Sequence, residues 1–250
     1  MGEKAMIAMS GGVDSFVAAF LTKQAGYDCI GVTMKLFQNE DIRVSRAKTC
    51  CSLEDVEDAR SVARHLGIPY YVFNFCRDFK AQVIERFVAA YESGATPNPC
   101  INCNRYLKFE RLFQRARELG GETIVTGHYA RIEKQNGRYI LKKALDKSKD
   151  QSYALYMLTQ EQLAHIRFPL GELSKSEVRS IAESRGFCNS EKPDSQGICF
   201  ILGGDYAAFL EQYTGKPYQT GDVLDLLGQV IGHHRGAVQY TTGQRKGLGL

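Results

Sequence analysis

The stretch AMIAMSGGVDSFVAAFL, Ala5 to Leu21, narrows the possible folds more than any other part of this chain. Met6-Ile7-Ala8-Met9 has the length and composition of a short buried strand. After it, Val13, Phe16, Val17, Phe20 and Leu21 recur at the spacing of one apolar helix face, and Gly26 is placed to end that helix. Ser10-Gly11-Gly12 is then a tight strand-to-helix turn. Glycine lets backbone approach a ligand closely, and N–H groups at a helix start face outward with partial positive charge. The turn therefore predicts an anion site, most naturally for phosphate. It matches neither GxxxxGK[ST] nor GxGxxG, so the Walker and dinucleotide readings both fail.

Further strands are expected at Cys29–Lys35, Tyr70–Phe75 and Thr123–Thr126. Between the second and third, SLEDVEDARSVARHLG reads as a helix with a Ser52/Asp55 capping arrangement and an apolar stripe of Leu53, Val56, Ala63 and Leu66. Two more helical patterns, roughly Phe79–Tyr91 and Asn104–Leu119, precede the fourth strand. Alternating strands and helices imply an α/β fold: a Rossmann-like parallel sheet with helices on both faces. Ligands bind beyond the carboxyl ends of such strands, where Ser10, Met34 and Gly127 are expected to converge. After the fourth strand, QNGR marks a hairpin, and LSKSEVRSIAESRG a helix boxed by Ser174 and Glu177 and ended by Gly186. Beyond about Tyr213 glycines become frequent and short alternating stretches appear, the mark of a second, small β-rich unit. Residues 1–200 are thus expected to form the main domain and residues 201–250 the start of a smaller, truncated one.

Apolar content of 44% and charge of 24% are those of an ordinary globular protein, and 32 Lys+Arg against 28 Asp+Glu permit a nucleic-acid partner without demanding one. No signal peptide or membrane span is legible, which predicts a cytoplasmic location. The eight cysteines are then not a secreted disulfide framework. Cys29 and Cys76 lie in or beside apolar strands and read as small buried side chains. TPNPCINCN, Thr96–Asn104, differs: Pro97 and Pro99 stiffen a connection that presents Cys103 at the start of the following helix, where the dipole favours thiolate. Cys100 and Cys103 make a CxxC with no second CxxC at zinc spacing, which leaves structural zinc weak. Cys199, in DSQGICFI, reads locally as a core cysteine.

SGGVDS resembles the pyrophosphatase loop of the ATP-pyrophosphatase superfamily. Together with MK after the second strand, TPNPCINCN, TGHYAR, KDQSY and DSQGICF, it makes nearly the whole chain similar to the tRNA-specific 2-thiouridylase family. The resemblance implies ATP phosphates on Ala8, Met9, Ser10, Gly11, Gly12, Val13, Asp14 and Ser15, with Met34 and Gly127 near the adenosine. It puts Asn98, Pro99 and Cys100 against the target base and Lys149, Asp150 and Gln151 on tRNA. It makes Cys199 the carrier of a persulfide received from a sulfur donor protein, and Cys103 the partner nucleophile that closes a transient disulfide with it. Mg²⁺ would assist the departing pyrophosphate, with Asp14 as the candidate to orient it or to bond the loop backbone. Many members carry Asp where this chain has Cys100; the alternative that follows is a 4Fe–4S cluster on Cys100, Cys103 and Cys199. Members also continue past GQRKGLGL into a β-barrel that grips tRNA. Cys50-Cys51 finds no role.

Three other readings remain open from sequence. They are an ATP-dependent ligase or amidotransferase acting on a small molecule, a nucleotide- or metal-binding regulatory module, and a Rossmann-like domain whose cysteines are filler. The ligase or amidotransferase reading has no use for Cys103 and Cys199, whereas sulfur transfer uses both.

Overall fold

The computed structural model describes residues 2–38, 53–187, 197–201 and 204–249. Its centre is a five-stranded parallel sheet in the order β3-β2-β1-β4-β7, built from β1 (Lys4–Ala8), β2 (Asp28–Lys35), β3 (Tyr70–Asn74), β4 (Thr123–Val125) and β7 (Ile166–Arg167). The chain lays strands outward from β1 to β3, then returns to place β4 on the other side of β1. The carboxyl end between β1 and β4 is therefore a topological switch point, where open α/β sheets bind ligands.

Strand alternation divides the core. Ala5, Ile7 and Met9 point to one face, where Phe16 and Val17 of α1 (Val13–Gln24), Ala59 and Val62 of α2 (Leu53–His65), and Val178 and Ala182 of α8 (Lys175–Ser184) cover them. Met6 and Ala8 point to the other, under a helical layer carrying Phe87, Leu107, Leu112 and Ala116. That layer is two long helical stretches. One runs α3 (Cys76–Phe79), a π-helical segment Lys80–Ile84 and α4 (Glu85–Glu92); the other runs α5 (Pro99–Asn102), a π-helical segment Cys103–Arg111 and α6 (Leu112–Glu118).

The α/β expectation holds, with corrections of detail. The stripe of α2 is Asp55, Ala59, Val62, Ala63 and Leu66; Leu53 is exposed and Val56 only half-buried, because the helix meets the sheet one step round from the apolar spacing. Ser52 lies outside the described residues, as do Cys50, Cys51 and Cys188. β7 was not foreseen, being two residues long. The QNGR hairpin forms as β5 (Ala130–Gln135) against β6 (Arg138–Lys143), with Asn136 and Gly137 at φ 48° and 79° as its turn requires. The Ser174/Glu177 box closes on both sides. A short helix, α7 (Gln160–Ala164), leads into β7. The last stretch is not purely β: α9 (Tyr206–Thr214), capped by Asp205 and ended by Gly215 in the left-handed region, precedes the hairpin β8 (Gly221–Leu224) and β9 (Val230–His234).

Candidate active site

The turn after β1 is shaped from inside. The buried Ser15 hydroxyl donates to the Gly12 carbonyl at 2.8 Å and accepts the Ser10 N–H at 3.1 Å. Gly11 has φ +78° and lies so close to α2 that a Cβ there would stand 2.6 Å from the Asp55 Cβ. Ala8, Met9 and Val13 are core residues. The turn thus offers backbone more than side chains, and no side chain caps the start of α1. N–H groups at such a helix start are donors of the kind that bind anions. Gly127, just past β4, packs on the first turn of α1: a Cβ there would stand 2.8 Å from the Asp14 carbonyl carbon. Met34 is the last residue but one of β2 and is half-buried.

Asp14 bonds side chains from distant parts of the chain, not the turn backbone. Lys175 Nζ donates to its two carboxylate oxygens at 2.8 and 2.9 Å, and the Tyr129 hydroxyl donates to one of them at 2.9 Å. The carboxylate proposed from sequence to orient Mg²⁺ or to bond the loop backbone is thus paired with a lysine in this structure. Lys175 is only 12% exposed and sits at the first position of α8, its N–H on Asp146. A cation is disfavoured at that end of a helix, and this was the signal in LSKSE that sequence reading passed over. Tyr129, from TGHYAR, was missed as well.

His128, between Gly127 and Tyr129, is buried, with Nδ1 2.7 Å from the Thr126 hydroxyl and Nε2 3.5 Å from Lys108 Nζ. Burial first, and then Lys108, hold its pKa well below the usual histidine value, so the ring is neutral. It ties the end of β4 to the helix that carries the cysteines.

That helix starts earlier than its sequence suggests. Asn98 is the cap, its side chain accepting the Cys100 N–H at 3.0 Å, and Pro99 takes the first helical position. The first-turn place expected for Cys103 belongs to Cys100, which is exposed; Cys103 lies a turn deeper, buried, where the π-helical segment begins. Asn98, Pro99, Cys100, Tyr153, Ile198 and Tyr206 are among the residues around a cleft of about 820 Å³. Cys199 follows Ile198, half-buried against the same apolar cluster that contains Cys103 and touches Met34. Cys100, Cys103 and Cys199 all carry thiols. Among the described residues no three Cys, His, Asp or Glu side chains are grouped to hold a metal ion. The iron–sulfur alternative is thus not assembled here, since Cys100 opens to the cleft and Cys103 into the core.

Of the residues expected on tRNA, two turn inward. Asp150 accepts the Ala144 N–H at 2.8 Å and the Ser152 hydroxyl at 2.8 Å, and the Gln151 side-chain oxygen accepts the Tyr129 N–H at 3.0 Å. Lys149 caps a turn with its N–H on the Asp146 carbonyl. Among the described residues no helix is long and apolar enough to cross a membrane.

Two family models match the chain: the tRNA methyl transferase HUP domain over residues 3–203 and the tRNA methyl transferase PRC-barrel domain over residues 207–250. It is 52% identical to the tRNA-specific 2-thiouridylase MnmA of Clostridioides difficile, over 100% of this chain and 70% of that one. It is 53% identical to the protein of the same name from Lachnoclostridium phytofermentans, over 99% of this chain and 70% of that one. Among solved structures, a 4-thiouridine synthetase in complex with RNA and ATP is similar in fold, at TM-score 0.54 and 20% identity, over 85% of this chain and 50% of that one.

Proposed function

This chain belongs to the tRNA-specific 2-thiouridylase family, and we propose that it uses ATP to convert the wobble uridine of tRNA to 2-thiouridine. The observation that carries the reading is the cleft. Asn98-Pro99-Cys100 line it together with Ile198, the neighbour of Cys199, while Cys103 lies in the cluster against which Cys199 packs.

A uridine carbonyl oxygen leaves poorly, so sulfur cannot displace it directly. In the proposed sequence that oxygen attacks the α-phosphorus of ATP on the Ser10–Ser15 turn, and the bond to pyrophosphate breaks. Lys175 exchanges Asp14 for phosphate oxygen and, with the α1 N–H groups, stabilises the charge that develops. The terminal sulfur of a Cys199 persulfide, loaded by a sulfur donor protein, then attacks C2 and AMP leaves with the old oxygen. Cys103 thiolate next attacks the Cys199 sulfur. The S–S bond breaks, 2-thiouridine is released, and a Cys103–Cys199 disulfide remains for a thiol reductant to reopen. The buried Cys103 is protected from stray oxidants until the Cys199 segment delivers its sulfur. Residues 201–250 are read as the start of a tRNA-contacting unit; Thr241 in it bonds Thr96 beside the cleft.

The test incubates the protein with ATP, a persulfide donor and bulk tRNA, with 2-thiouridine read by mass spectrometry. Cys103→Ser and Cys199→Ser should each abolish product, and Cys100→Ser should retain it. Full activity in either of the first two variants overturns the relay.

A further inference from the structure

The geometry points to Tyr153 as a stacking platform for the unpaired RNA base that enters the cleft, a role that rests on the reading above. The segment joining β6 to α7 is clamped from within. Asp150 and Gln151 spend their side-chain oxygens on Ala144, Ser152 and Tyr129, and the Gln151 N–H donates to the Tyr129 carbonyl at 2.9 Å. The buried Asn104, next to Cys103, donates its amide N–H to the Ala154 carbonyl at 3.1 Å, and Ala154 and Leu155 are themselves core.

A segment anchored at 150, 151, 154 and 155 has a fixed backbone, and it holds two large rings in water: Tyr153 is 63% exposed and Tyr156 71%. Only Tyr153 reaches the cleft, which it lines with Asn98, Pro99, Cys100 and Ile198. An exposed ring on an anchored backbone beside a cleft is suited to recognise a flat π-face, and base stacking is tolerant of which base arrives. Charge agrees with the occupant: Lys147 and Lys149 immediately precede the same segment and carry the sign that an RNA backbone attracts. An extruded base loses its stacking partners, and the Tyr153 ring replaces one of them.

The experiment is a double-mutant cycle across the interface. An anticodon stem-loop RNA with the target uridine, and the same RNA with an abasic residue in its place, are titrated onto wild type, Tyr153→Ala, Tyr153→Phe and Tyr156→Ala. Tyr153→Ala should weaken binding of the intact RNA by about 10-fold or more, with little further loss on the abasic RNA. Tyr153→Phe should keep the coupling, and Tyr156→Ala should bind like wild type. ATP affinity and Tm serve as folding controls, which a merely structural role would move and a stacking role would not. Additive losses for Tyr153→Ala and the abasic RNA overturn the assignment, as does coupling to a flanking base instead of the target. Wild-type protein that neither binds nor thiolates RNA overturns the proposed function and this inference with it. Wild-type protein that is active while Tyr153→Ala is unchanged overturns this inference alone.

Discussion

Replacing Gly127 by alanine tests the link between fold and nucleotide pocket with one methyl group. The position has no positive φ, so alanine brings no backbone strain, only bulk. The new Cβ would stand 2.8 Å from the Asp14 carbonyl carbon, 2.9 Å from the Ser15 N and 3.0 Å from the Asp14 carbonyl oxygen. All three are backbone atoms of the first turn of α1 and cannot rotate away. Ordinary contact begins near 3.4 Å, so β4 and α1 must part by about 0.6 Å at this point. Overpacking of this kind costs about 1–3 kcal/mol, which in a chain of this size lowers Tm by roughly 2–12 °C. The same shift falls on the N–H groups proposed to hold phosphate. Misplacement approaching 1 Å costs up to about 100-fold in a positioned reaction, so ATP-dependent product formation should fall by about 10- to 100-fold. Thermal unfolding and initial rates at saturating tRNA measure the two effects. A variant with wild-type rates and a wild-type ATP dissociation constant would refute the placement of Gly127 against a working phosphate turn.

Lys175→Met keeps the length of the side chain and removes its charge, leaving Asp14 half-buried with only Tyr129 as partner. Stability should fall by about 1–3 kcal/mol and ATP affinity by at least about 10-fold, read by denaturant unfolding and calorimetric titration; unchanged ATP affinity would remove Lys175 from the phosphate site. His128 is held neutral in the fold, whereas the unfolded chain takes up its proton near pH 6.5. Stability should therefore be full above about pH 6.5 and decline below it with a limiting slope of about 1.4 kcal/mol per pH unit from this residue. His128→Gln should flatten that slope between pH 6.5 and 5 in urea melts.

Much of the fold was legible because its signals are local. The β1–α1 stretch, the Ser174/Glu177 box and the QNGR hairpin each carry their cause within a few residues. What escaped depends on distant partners. Nothing near Asp14 announces Lys175, 161 positions on, and nothing in KDQ announces that Asp150 and Gln151 are consumed by Ala144, Ser152 and Tyr129. The helix start at Pro99 was misjudged for the opposite reason: two prolines were read as loop, although proline suits the first helical position once Asn98 caps it. The π-helical segments leave no periodicity that distinguishes them from ordinary helix, and the α9 helix was hidden among glycine-rich flanks.

Tyr129 belongs to both halves of the site at once. Its hydroxyl holds Asp14 under the phosphate turn, and its backbone N–H and carbonyl both hold Gln151 in the segment that carries Tyr153. A displacement of Tyr129 by a ligand in either proposed pocket would reach the other through a single residue. Thermodynamic reciprocity then requires that whatever factor nucleotide imposes on RNA affinity, RNA imposes in equal measure on nucleotide.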